Sequence, residues 1–198
     1  MGRWQFGLFD IVGAQYTAPL LCVCNLAFMT HDSSKIPPAP WILHGESIAF
    51  LHRDENGQIG VRAFVHYTDS PVGAYNEMAF AILTSRGVRV TQMPVTLEES
   101  MIGGRAIWGF PKTLEHIEYS MLRNRVCVRF RNTSIRARVS RFSFPLKLRA
   151  WTIQTMDGAN VRVPIAIRGR VFFAWRGRQL GACLRDFELT VWVPEKLS

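Results

Sequence analysis

The sequence predicts a mostly β fold (β-rich α+β), with a curled or closed antiparallel sheet and few short helices. Three observations predict it. Short segments that alternate apolar and polar residues recur along the chain, the signature of half-buried strands. Fifteen glycines and ten prolines punctuate those segments, with no obvious linker and no repeat. Helical periodicity is scarce. Many short strands in one chain of 198 residues favour a sheet that curls or closes on itself.

At ~150 residues per domain, the length fits a single domain spanning 1–198. With 48% hydrophobic and 20% charged residues, the chain is not intrinsically disordered. The first strand expected is Leu20–Ala27, followed by Glu46–Arg53, Ile59–Tyr67, Met78–Thr84 and Val88–Met93. The second half adds Ile117–Met121, Arg125–Arg131, Ile135–Phe144, Leu148–Gln154, Val161–Arg168, Arg170–Trp175 and Phe187–Val193. Asp54-Glu-Asn-Gly57, Ser85-Arg-Gly87 and Arg131-Asn-Thr133 have the composition of hairpin turns. The best helical segment is Leu97–Ile102, with Gly103-Gly104 as its C-terminal stop.

The longest apolar run, Thr17 to Met29, covers 13 residues and contains Pro19 and Asn25. It falls short of the ~20 residues a membrane span needs, and it lacks the flanks of a signal peptide. A cytoplasmic protein with no membrane partner is therefore expected. Cys22, Cys24, Cys127 and Cys183 show no zinc-module spacing. Buried free thiols are the simplest reading, with no metal or other cofactor expected.

The formal charge is +9, unevenly spread. Residues 1–100 hold 6 basic and 9 acidic side chains, whereas residues 101–198 hold 18 and 6. Arginine supplies 20 of the 24 cations, so Lys35, Lys112, Lys147 and Lys196 are the only lysines. The arginines concentrate in a predicted hairpin. Arg125, Cys127, Arg129 and Arg131 share one face, and Arg136 and Arg138 continue it after the turn. Such a face suits solvent or a subunit contact, an anionic substrate, or nucleic acid. With few lysines and no aromatic RNA-binding motif, GxxG loop or zinc module, nucleic acid is the least favoured partner.

Two stretches point to chemistry. In Glu77-Met-Ala-Phe-Ala-Ile82, alternation places Glu77, Ala79 and Ala81 on one face, leaving space beside a carboxylate. Tyr75 shares that side as a candidate pocket hydroxyl. The alternative is a strand-start glutamate in solvent. In Gly104-Arg-Ala-Ile-Trp-Gly-Phe-Pro-Lys112, one of the four lysines follows Trp108, Phe110 and Pro111. A lysine attacks carbonyls only as the neutral amine, and apolar burial favours that form. An exposed lysine at a loop end is the alternative. Gly104 and Gly109 mimic a phosphate loop, but Phe110 and Pro111 intervene before Lys112-Thr113. His52, His66 and His116 lack a nucleophile-and-base spacing and read as surface or satisfied buried histidines.

Together the two stretches resemble the acetoacetate decarboxylase-like superfamily. Ser70-Pro-Val-Gly-Ala-Tyr-Asn-Glu77 is similar to its SPVGxYxE segment, and Gly104-Arg105 with Trp108-Gly-Phe-Pro-Lys112 to its GRExWGxPK segment. Leu97-Glu98 fits the acidic spot between them. The resemblance covers roughly residues 60–115 and implies a barrel-like sheet around a funnel-shaped pocket, in homo-oligomers. It implies a lyase in which Lys112 forms an imine with a keto acid and Glu77 handles the proton or positions the substrate. Tyr75, Arg105, Trp108 and Phe110 are the substrate-binding candidates, with Arg105 either structural or anion-facing.

The sequence also departs from the family pattern. Thr113 stands where the decarboxylase has a second lysine, and Val61 and Arg62 lie where it has another pocket glutamate. Ala106 replaces the glutamate of Gly-Arg-Glu, and Arg3 is the only arginine before Arg53. The paired loss of lysine and glutamate keeps local charge balanced. It leaves open decarboxylation, aldol or dehydration chemistry on a small or moderately hydrophobic keto acid. A catalytically silent small-molecule-binding β-barrel is the alternative reading, and an arginine-face nucleic-acid binder the third.

Overall fold

The computed structural model describes residues 36–53 and 57–197. The expected strand Leu20–Ala27, with Cys22 and Cys24, lies outside the described residues, as do Arg3 and Lys35. The described chain runs β1 (Trp41–Arg53), β2 (Ile59–Asp69), β3 (Tyr75–Thr84), β4 (Gly87–Val95), α1 (Glu98–Trp108) and β5 (Lys112–Leu114). It continues as β6 (Ile117–Leu122), β7 (Arg125–Phe130), β8 (Thr133–Met156), β9 (Ala159–Arg176), β10 (Gln179–Val191) and β11 (Glu195–Lys196).

All eleven strands of the described residues join one sheet. In it β9, β10, β1, β2, β3, β4 and β8 form a ring of hydrogen-bonded neighbours, closed where β8 pairs with β9. The predicted barrel-like sheet is therefore present, with one helix among the described residues. Its pairing is mixed rather than wholly antiparallel. β5 and β8 both run parallel to β4. For β5 the reason is the crossover through α1, which returns the chain alongside β4 in the same direction.

Strands β1 to β3 contribute buried side chains from both faces, to two different cores. Trp41, Val65, Tyr67, Tyr75, Val95, Trp108, Val163 and Phe187 belong to a core on the inner side. Ile48, Phe64 and Met78 point outward into a second core, closed by Val126 and Val128 of β7 and Ile135, Ala137 and Val139 of β8. Opposite the apolar side of β7 lies the arginine-rich face. Arg125 pairs with Arg138 and Cys127 with Arg136, in the predicted hairpin.

Element lengths depart from expectation. Ile135–Phe144 and Leu148–Gln154 are parts of the single strand β8, and Val161–Arg168 and Arg170–Trp175 are both within β9. Pro145 lies between the two expected segments, and the strand continues through it opposite Arg170. The slip in register falls earlier, between Val139 and Ser143. The helix also differs, running to Trp108, so Gly103-Gly104 are interior residues and not its end. Gly109 ends it, with φ of 66° and its N–H donated to the Arg105 carbonyl. The two internal glycines are there for close approach. A Cβ on Gly103 would come within 2.8 Å of Ile36 and Trp41, and one on Gly104 within 2.5 Å of Lys112. No helix of the described residues is long and apolar enough to cross a membrane.

Candidate active site

The turn after α1 delivers Lys112 to the inner side of the sheet. Phe110 N–H donates to the Gly104 carbonyl at 3.1 Å, and after Pro111 the chain enters β5 with Lys112 opposite Met93. Arg105 Nε donates to the backbone carbonyl of Lys112 at 2.6 Å, tying the helix to the strand. The lysine stem then crosses the helix surface at Gly104, where a side chain would meet Cδ and Cε at 2.5 and 2.6 Å. Ser100 lies one turn earlier on that face, and its hydroxyl accepts from Lys112 Nζ at 2.9 Å. Glycine thus makes the groove for the aliphatic stem, and serine receives the amine.

Glu77 reaches the same amine from the third residue of β3, accepting from Lys112 Nζ at 2.8 Å through Oε2. Both residues are 4% exposed. A buried ion pair is retained only with good geometry and further hydrogen bonds, because desolvation of each charge costs several kcal/mol. The second oxygen of Glu77 supplies one such bond, accepting from the Tyr67 hydroxyl at 3.2 Å. Tyr75 flanks the pair, its ring centroid 5.4 Å from Nζ. Burial pushes the Tyr67 and Tyr75 phenols well above their usual range, and the Glu77 charge adds to it. Ser100 works the other way on Tyr75. Both tyrosines therefore stay neutral beside the carboxylate, and Tyr67 donates to it.

Lys112, Glu77, Tyr67 and Tyr75 form the floor of a cavity of about 430 Å³ inside the strand ring. Trp41, Trp108, Phe110 and Phe187 wall the floor, and Trp108 is fixed by donating Nε1–H to the Trp192 carbonyl at 2.6 Å. Above the floor the wall is almost wholly aliphatic. Lys112 is the sole cation among the described residues that line it. Thr152 contributes a hydroxyl to the wall, and its Oγ1 has no hydrogen-bond partner.

Of the six residues singled out from sequence, Glu77, Lys112, Tyr75, Trp108 and Phe110 line this cavity. Arg105 does not: its side chain is exposed, and its Nε donates to the Lys112 carbonyl. Sequence reasoning missed Ser100 and Tyr67. A signal existed for Ser100, since Ser100 and Gly104 are small residues four apart before a motif lysine. For Tyr67 it was weaker, requiring the pairing of Tyr67 with Tyr75 and Val65 with Glu77 across β2 and β3. The histidines are each engaged elsewhere, His52 with Arg62, His66 with Asn76 and His116 with Glu118. Among the described residues no cluster of His, Cys, Asp or Glu is placed to hold a metal ion. Cys127 and Cys183 are free thiols.

Two solved structures are similar in fold. The crystal structure of acetoacetate decarboxylase from Legionella pneumophila subsp. pneumophila str. Philadelphia 1 superposes with a TM-score of 0.58 at 15% identity. That match covers 82% of this chain and 88% of the other. A second acetoacetate decarboxylase structure gives a TM-score of 0.54 at 11% identity, covering 82% and 91%. No curated protein matches the chain. Residues 54–154, just over half of the chain, match the acetoacetate decarboxylase (ADC) family. That stretch contains the glutamate strand, the glycine-bearing helix and the lysine, and by it the chain belongs to the acetoacetate decarboxylase family.

Proposed function

We propose that the protein is an imine-forming lyase acting on a keto acid, with Lys112 as nucleophile and Glu77 as the group that takes and returns its proton. One observation carries the reading: a buried lysine amine shared between Glu77 and Ser100 at the floor of an apolar cavity. Membership of the decarboxylase family supports it. Imine formation needs the neutral amine, and Glu77, 2.8 Å away, is within reach for direct proton transfer.

In the proposed sequence, the Nζ lone pair attacks the keto carbon and a C–N bond forms. The carbonyl oxygen takes up two protons and leaves as water, giving an iminium. With a β-keto acid, the bond from Cα to the carboxyl carbon breaks. Its electron pair moves toward the iminium nitrogen, carbon dioxide leaves and an enamine remains. Protonation at Cα and hydrolysis by water release the ketone and restore Lys112. The same enamine serves aldol and dehydration chemistry. Tyr67 and Ser100 hold the proton donor and acceptor in register.

Borohydride reduction in the presence of keto acids, followed by peptide mapping, tests the assignment. The expected result is a reduced adduct on the peptide containing Lys112, lost in Lys112→Ala. A folded protein that gives no adduct with any carbonyl compound tried returns the pair to a structural role and the cavity to a silent binding pocket.

A further inference from the structure

The inner face of the sheet changes character along the strands. At the floor stand Ser47, Val65 and Glu77, all buried, on adjacent strands in register. One step along each strand comes a second row, Ala49 opposite Ala63 and Ala63 opposite Ala79. All three line the cavity, so three neighbouring strands present only a methyl group at the same height. Ala81 extends the small surface along β3, opposite Val61 and Val90. The rim follows, with Val61 and Leu148 both lining the cavity and solvent-exposed.

From Glu77 to Ala81 the strand climbs four residues, about 13 Å at the usual rise. At ~30 Å³ for each liquid-like heavy atom, a cavity of about 430 Å³ takes on the order of 14 such atoms. A four-carbon keto acid fills about half of that and touches little above the floor. The alanine row, by contrast, opens a smooth aliphatic channel from the amine to the rim.

We propose that the substrate is a keto acid with an unbranched apolar tail, its keto carbon at Lys112 and its tail running along Ala79, Ala63 and Ala49 toward Val61 and Leu148. This rests on the imine reading for the position of the carbonyl; the alanine row sets the chain length. Each added methylene buried in the channel tightens binding about fourfold until the tail reaches the rim.

Methyl ketones are the products of β-keto acid decarboxylation, form the same imine and are stable, so a series from butanone to methyl nonyl ketone is the probe. The ketone concentration giving half-maximal borohydride trapping at Lys112 should fall about fourfold per methylene and then level off. Ala63→Leu should cut the preference for methyl nonyl ketone over butanone at least tenfold, and Ala49→Val should act in the same direction should the first variant not fold. A trapping concentration independent of chain length, or a preference unchanged in both folded variants, overturns the proposal. Calorimetric titration of the same ketones separates the two readings. Chain-length-dependent binding without trapping supports the channel and removes the imine. Trapping without chain-length dependence does the reverse.

Discussion

At the scale of single residues, the site rests on a pair that is costly to bury and costly to break. Removing one charge from a buried ion pair strands the other, a loss of about 3–5 kcal/mol. Glu77→Gln should therefore lower unfolding free energy by about that amount in urea titrations. Lys112→Met combined with Glu77→Leu should recover most of it, because two apolar side chains leave no charge behind. Gly104→Ala makes a different demand. Alanine is the better helix former by ~1 kcal/mol, but its Cβ falls on Lys112 Cδ and Cε. The lysine stem can move aside, so the expected outcome is near-normal stability with strongly reduced borohydride trapping. Lys112 and Glu77 were legible in the sequence because each sits in a spaced motif and lysine is rare in this chain. Tyr67 was not, because a hydroxyl acquires its role only from what folding places beside it, and Ser100 was marked only by its spacing of four from Gly104. Arg105 was half legible: its motif marked it out, whereas its bond to the Lys112 carbonyl is visible only in the fold.

Elements were legible in kind and less so in extent. Alternation predicted strands because one face of each meets an apolar core, and in β1 to β3 both faces do. It could not reveal that β8 and β9 are long continuous partners, since their pairing joins residues on either side of Pro145. Nor did it find β5, three residues held by pairing with β4. The helix end was misread for a physical reason. Glycine ends a helix by adopting positive φ, but it also occupies helix interiors where another chain passes close. Gly109 does the former, and its missing Cβ also faces Met156 and Thr155 at 2.6 Å. Gly109→Ala should cost about 1–3 kcal/mol, read as a lower urea midpoint. The same variant should lower trapping at Lys112, because that cap sets the direction in which the chain enters β5.

At the scale of the whole molecule, the fold class and the family were readable from the sequence, whereas the division into two cores was not. Cys183 reports on the outer core. Burial pushes its thiol up from 9.0 to about 11, with Arg185 opposing. Well below pH 9 the thiol is neutral both folded and unfolded. Above that the unfolded chain ionises first, so stability falls as pH rises from about 9 to 11, by on the order of 2–3 kcal/mol. Alkylation at pH 8 should leave Cys183 unmodified in the native protein and label it after denaturation, as peptide mass mapping can read. The ring itself is unevenly fastened. β8 and β9 are joined through a long antiparallel ladder, while β4 meets β8 through one bridging pair, Val88 with Thr152. Both of those residues also line the cavity, and Thr152 carries its unpartnered hydroxyl there. A vessel stitched tightly all round except at one point yields at that stitch. Here that point is in the chamber wall, so hydrogen exchange should be faster along the β4–β8 seam than along the β8–β9 ladder.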